Sequence, residues 1–403
     1  MNATQYIKEN WKNTVHQPED PRHGACYIPY PYTVPCAGSG FTDFYYWDTY
    51  FTNLGLMLSG MDEQAENNLN VMRYFIEHLG YVPNANCLTD RSQPPLFTRG
   101  VYDLYRFRND ENIIRNYIDF VLKELSFWEY DRMTPVGLNA YSCHATRIGL
   151  KNQSGLAGRV GEVRESEEEY LHLTKQLLGI AESGWDFTPR FRTATQKFAS
   201  DEYAHLDLNS ILYDAEVKAA EMLSVIGRDG EAATLRDKAN ARLEKMKTMM
   251  ADDGVYYDYC YTEKHASPVL SCASFYVYAM GISDDAKAAG KVLAGLEQPF
   301  GVSACEKRGV NETYLQWDYP AMWPSNVYFA YTGLMNVGRV EDARRVAQKY
   351  IDTVDRCFAE SGALWEKYDA STGGVSVTSE YVTPTMMGWT AGVYLYLMNA
   401  LNQ

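Results

Sequence analysis

Long apolar runs are missing from this sequence: no stretch of about 20 consecutive apolar residues occurs, so no membrane-spanning helix is expected. Positive charge is also in short supply. Lys and Arg number 37 against 52 Asp and Glu, and the net charge of −15 would repel nucleic acid and anionic lipid, leaving neutral small molecules as the better partners. The eight cysteines contain no Cys-x-x-Cys pair and are expected to be reduced, mostly buried thiols. None of the seven histidines falls in a His-x-x-x-His or Cys/His cluster, which argues against a protein-built transition-metal site. The first ten residues lack an apolar core of signal-peptide length, so cytoplasm is the default expectation. No repeat of fixed period and no low-complexity linker divides the chain, and one domain over residues 1–403 is expected.

Aromatic residues, by contrast, are plentiful, and they keep company with acids. Five of the eight tryptophans are followed directly by a carboxylate: Trp47-Asp48, Trp128-Glu129, Trp185-Asp186, Trp317-Asp318 and Trp365-Glu366. Random placement of 52 acids in 403 residues would give about one such dipeptide. An indole beside a carboxyl withdraws water and disfavours the charged form, which keeps an acid protonated near neutral pH. It also offers a flat face for the C–H side of a sugar ring, while carboxylates bind the hydroxyl rim.

Apolar residues recur at three- and four-residue spacing over 51–58, 69–79, 113–125, 208–226, 232–249, 286–296, 328–335, 340–351 and 386–401, which predicts an all-α protein of about a dozen helices. Strand-like alternation is short and local, as in Gly254 to Asp258. Between the helices lie loops rich in Gly, Pro, Asn and Ser at 81–95, 137–161, 183–190, 299–324 and 370–384. Most of the tryptophan–carboxylate pairs sit in or beside them. Helical hairpins closed into a toroid, with loops at one end building a pocket, fit this layout.

The residues themselves leave more than one reading open. Phe41, Tyr46, Trp47 and Asp48 could form a sugar-binding wall, or simply an amphipathic helix start whose Asp48 favours the N-terminal dipole. Asn84, Arg91 and Gln93 stand before the rigid Pro94-Pro95 and could reach ligand hydroxyls or cap a helix. Asp186, placed between Trp185 and Phe187 after Gly184, suits a general acid of raised pKa, or a turn cap. Trp317-Asp318 and Trp365-Glu366 are similar, and Glu366 could serve as a general base, although the neighbouring Glu366-Lys367 pair is of a kind that usually means an exposed surface.

Taken in order, these segments resemble the trehalase family of glycoside hydrolases. The resemblance rests on Phe41 through Leu56 with its Tyr45-Tyr46-Trp47-Asp48 core, Pro83-Asn84, Arg91 to Pro95, Ser183 to Asp186, Asp207-Leu208-Asn209, Gln316-Trp317-Asp318 with Trp323, Glu366-Lys367-Tyr368 and Gly388-Trp389-Thr390. It implies an (α/α)6 barrel and hydrolysis of a terminal α-glucosidic bond with inversion, Asp186 acting as general acid and Glu366 as general base, with no cofactor. In such a mechanism the two carboxyls stand about 6.5 to 9.5 Å apart, leaving room for the attacking water. The resemblance also implies sugar contacts at Phe41, Trp47, Asp48, Asn84, Arg91 and Trp317, and places Glu165 and Glu380 in matching acidic segments.

Departures from the pattern concern the leaving-group side. Gly38-Ser39-Gly40-Phe41 stands where the family has Gly-Gly-Arg-Phe, so one arginine is absent, and the loop before Arg91 is two residues shorter. Trp323-Pro324 leans towards the related glucosidase-I-like families, whose substrates are other oligosaccharides or glucosylated small molecules. A sugar epimerase or a non-hydrolytic sugar-binding toroid is the alternative from another class. No histidine stands in a motif matching the first, and retention of both Asp186 and Glu366 argues against the second.

Overall fold

The computed structural model describes residues 1–19, 26–38, 40–309, 314–375, 385 and 388–402. In chain order the helices are α1 (Ala3–Asn10), α2 (Tyr46–Leu58), α3 (Asp62–Leu79), α4 (Phe97–Arg108), α5 (Glu111–Asp131), α6 (Arg147–Asn152), α7 (Leu156–Arg159) and α8 (Glu167–Glu182). They continue as α9 (Leu206–Val225), α10 (Asp229–Met249), α11 (Ala273–Ala279), α12 (Ala286–Leu296), α13 (Pro324–Asn336), α14 (Val340–Ser361) and α15 (Gly388–Leu401).

Burial sorts these helices into two layers. Twelve of the thirteen residues of α2, all seven of α11 and ten of the thirteen of α13 are buried. Only five of the 21 residues of α10 and nine of the 22 of α14 are. A helix buried on every side belongs inside, and one with a single apolar stripe belongs outside. Packing agrees: α2, α4, α9, α11, α13 and α15 touch in that order, and α15 returns to α2, closing a ring. Outside it, α3, α5, α12 and α14 bridge neighbouring inner helices, α10 packs on α9, and α1 packs on α14. Among the described residues this is an (α/α)6 barrel.

The ring closes through glycine. Any Cβ on Gly392 of α15 would overlap the Phe51 carbonyl oxygen, and one on Gly55 would stand 2.7 Å from the Gly392 Cα. Backbone therefore meets backbone at the α2–α15 seam. Deeper in the barrel a buried polar knot joins four inner helices: Arg99 donates to the Tyr50 hydroxyl and to Asp214, both at 3.0 Å, and Tyr50 meets Tyr328 at 3.0 Å.

Periodicity located the outer helices well and missed α1, α4, α6, α7, α8 and α11, of which α6 and α7 lie in the 137–161 stretch expected to be a loop. The sequence of α11, Ala-Ser-Phe-Tyr-Val-Tyr-Ala, is apolar on every face, so no amphipathic stripe marks it. Gly254 to Asp258 contains the expected short strand, Val255–Tyr256 pairing with Ala251–Asp252.

Candidate active site

Loops preceding α2, α4, α13 and α15 converge at the end of the barrel where those inner helices begin, around a cavity of about 600 Å³. Its aromatic wall is continuous. Trp317 stacks on Trp323 with ring centroids 3.9 Å apart and planes 2° from parallel, and Trp47 and Trp389 complete the cluster at 5.9 and 6.2 Å from Trp317. Phe41 and Tyr45, half-buried and edge to face at 5.5 Å, stand at the same cavity.

Among the described residues three acids line the cavity: Asp48, Asp186 and Glu366. Asp48 lies in the first turn of α2. Burial, then the charges of Glu366 and Asp186, push its pKa up to about 8. Glu366 is held from three sides. Lys367 donates to its Oε2 at 3.0 Å while lying 4.6 Å from the centre of the Trp323 ring, and Trp389 Nε1 donates to the Glu366 carbonyl at 3.1 Å. A two-residue antiparallel pairing, Ala321 opposite Asp369 and Met322 opposite Tyr368, then fixes the Glu366 loop to the segment carrying Trp317 and Trp323. The sequence expectation that Lys367 signals an exposed surface is corrected here, because Lys367 is fully buried.

Asp186 follows the last turn of α8. Gly184 makes that turn, with φ +74°, and any side chain there would press on the Trp47 indole at 3.1 Å. Arg159 Nη2 donates to the Asp186 carboxylate at 3.1 Å and its guanidinium lies 4.7 Å from the Phe187 ring centre.

Asn84, Arg91 and Gln93 also line the cavity. Gln93 accepts from the Trp47 backbone N–H at 3.1 Å, Asn84 donates to the Ala181 carbonyl at 3.3 Å, and Arg91 pairs with Asp90 at 2.6 Å. Four other predicted residues are placed elsewhere. Tyr46 points into the core, where its hydroxyl donates to Glu124 at 2.8 Å and accepts from the first N–H of α4. Trp185 is buried behind Trp317, 5.1 Å from it, so it backs the wall without facing the cavity. Asp318 turns away to a bidentate pair with Arg308 at 3.0 and 2.6 Å, beside a separate cavity. Glu165 sits exposed before α8, because Ser166 caps that helix and the Glu165 N–H donates to Glu169 at 3.1 Å. Glu380 lies outside the described residues.

Arg159 was missed. It sits on the four-residue helix α7 inside a segment that reads as polar loop, and nothing in its spacing marks it. Gly40, where the family pattern has arginine, lines the cavity, and Arg91 and Arg159 line it too.

The sequence profile described as trehalase matches residues 1–402. This chain belongs to the trehalase family. It is a glycoside hydrolase, as the sequence resemblance implied. Among relatives of the trehalase family, a periplasmic trehalase of Xanthomonas campestris is 29% identical over 98% of this chain and 72% of its own length. One of Pseudomonas aeruginosa is 28% identical over 98% and 75%. These relatives, named periplasmic, overturn the expectation of a cytoplasmic protein. The fold is likewise that of neutral trehalase from Saccharomyces cerevisiae, with TM-score 0.76, 23% identity and coverage of 99% of this chain and 80% of that one. It is also that of a mannosylglycerate hydrolase from Thermus thermophilus, with TM-score 0.70, 15% identity and coverage of 99% and 100%.

The raised pKa of Asp48 carries a pH prediction. Its folded value of about 8 exceeds the ordinary 3.8, so the folded state binds the extra proton between those values. The stability that protonation supplies is full below pH 3.8 and drains away as pH rises towards 8. Asp48→Asn removes this term. The Tm difference between pH 5 and pH 8 should therefore shift in favour of the higher pH in the variant relative to wild type, and parallel profiles would refute it.

Proposed function

We propose that this chain hydrolyses trehalose, or a closely related short α-glucoside, with inversion at the cleaved anomeric carbon. Asp186 protonates the glycosidic oxygen while Glu366 takes a proton from water attacking the opposite face of the sugar. The observation that carries this reading is the meeting of Asp186 and Glu366 in one tryptophan-walled cavity, where both charges act on Asp48. Asp48, Arg91 and Gln93 supply hydroxyl partners, and the indoles supply the flat apolar surface against which a pyranose ring packs. Lys367 sets a buried positive charge against the Glu366 carboxylate and holds it in place. One apolar core runs from Ala3 to Leu397, which supports reading the chain as one catalytic domain.

The test follows the anomeric protons by NMR during the first turnovers on trehalose. Inversion releases one β-glucose, from the attacked carbon, for each α-glucose that leaves. Two α-glucose molecules appearing together would overturn the mechanism. Kojibiose, nigerose, maltose and isomaltose run in parallel, and preferential cleavage of one of these would move the substrate assignment away from trehalose.

A further inference from the structure

Beside the cavity two cysteines from different segments come together, Cys87 within side-chain hydrogen-bonding reach of Cys26. Cys87 is an exposed residue of the 84–93 loop, which lines the cavity through Asn84, Leu88, Arg91 and Gln93. Cys26 is half-buried at the start of the 26–36 stretch, which contributes Pro35 to the same cavity. Asn86 bridges them. Its amide nitrogen lies 3.4 Å from the Cys26 carbonyl oxygen and 3.7 Å from Cys87 Sγ, while its Oδ1 accepts from the Phe44 N–H at 3.0 Å and fixes the side chain. Partial burial comes first, then the hydrogen bond and charge of Cys26, in holding the Cys87 thiol up at about 12. Five of the remaining cysteines, Cys36, Cys260, Cys272, Cys305 and Cys357, are buried.

The geometry points to a covalent modification site at the pocket rim: Cys26 and Cys87 form an intramolecular disulfide in an oxidising medium, fastening the 26–36 stretch to the 84–93 loop. With glutathione disulfide as oxidant, one cysteine thiolate attacks a glutathione sulfur, forming a mixed disulfide and expelling glutathione thiolate. The second cysteine thiolate then attacks the protein sulfur of that mixed disulfide and expels the other glutathione. Two electrons pass to the oxidant, and both cysteine protons go to solvent. Because the thiolate is the attacking species, oxidation quickens as pH rises. The cross-link joins positions 61 apart in sequence, so it restrains the unfolded chain over a long loop.

The full-length protein is incubated with glutathione disulfide at mildly alkaline pH, and its unreduced peptides are mapped by mass spectrometry alongside thermal melts. The expected result is a Cys26–Cys87 cross-linked peptide with a Tm raised by a few degrees, both reversed by dithiothreitol and both absent in Cys26→Ser and in Cys87→Ser. A stable glutathione adduct on Cys87, a link from Cys87 to Cys143, or a cross-link without a rise in Tm would each overturn the proposal.

Discussion

Asp186→Asn and Glu366→Gln each lower kcat by about a hundredfold or more, the scale of general acid or base catalysis by one positioned side chain. Both changes keep size and shape and remove only the ability to give or take a proton. Asp186→Asn still receives the Arg159 guanidinium at its remaining oxygen, and Glu366→Gln still sits beside Lys367, so neither disturbs the aromatic wall. The two variants part on an activated substrate. Fluoride leaves a glucosyl fluoride without being protonated, so Asp186→Asn should recover most of its rate on that substrate, whereas Glu366→Gln should not, because the attacking water still needs a base. Near-normal kcat on trehalose in either variant removes that residue from its role. Equal recovery in both would remove the distinction between acid and base.

Arg190→Met should cost about 3 to 5 kcal/mol of folding stability, the range for breaking a buried ion pair by deleting one partner. Arg190 is fully buried; it donates to Asp207 at 2.7 Å and to both oxygens of Asp258 at 2.8 and 2.9 Å. Methionine fills similar space and leaves two buried carboxylates without their cation. The guanidinium also lies 4.4 Å from the Trp185 ring centre, and Trp185 backs Trp317, so the damage reaches the cavity wall as well. Urea denaturation followed by tryptophan fluorescence measures both effects. A loss below about 1 kcal/mol would show that the cluster is not the keystone behind Trp185. Replacing Arg190, Asp207 and Asp258 together by apolar residues should cost less than Arg190→Met alone, since no charge is then left stranded.

Sequence carried the fold further than it carried the walls of the site. Outer helices such as α14 show one apolar stripe and could be found by period, whereas α11 is apolar throughout and invisible to it. Asp186 and Glu366 stood out by their tryptophan neighbours and were singled out by the order of the motifs around them, and the structure brings both to one cavity. Trp-acid pairing could not tell which member faces the cavity. In Trp47-Asp48 both do; in Trp185-Asp186 only the acid does, and in Trp317-Asp318 only the indole. Neighbouring side chains in an extended or turning segment point to opposite sides, so adjacency in sequence promises one wall residue and one structural anchor. Arg159 was illegible because its place at Asp186 depends on the path of a long excursion between α5 and α8, which local pattern does not encode.

The Gly55–Gly392 seam has a consequence for biogenesis. It joins the first inner helix made to the last, 337 positions later, so the nascent protein cannot complete its ring until α15 has left the ribosome. Until then the inner flank of α2 stays open as an apolar edge on an incomplete torus. That waiting period is where a holdase would act, and where a chain stalled before α15 would aggregate.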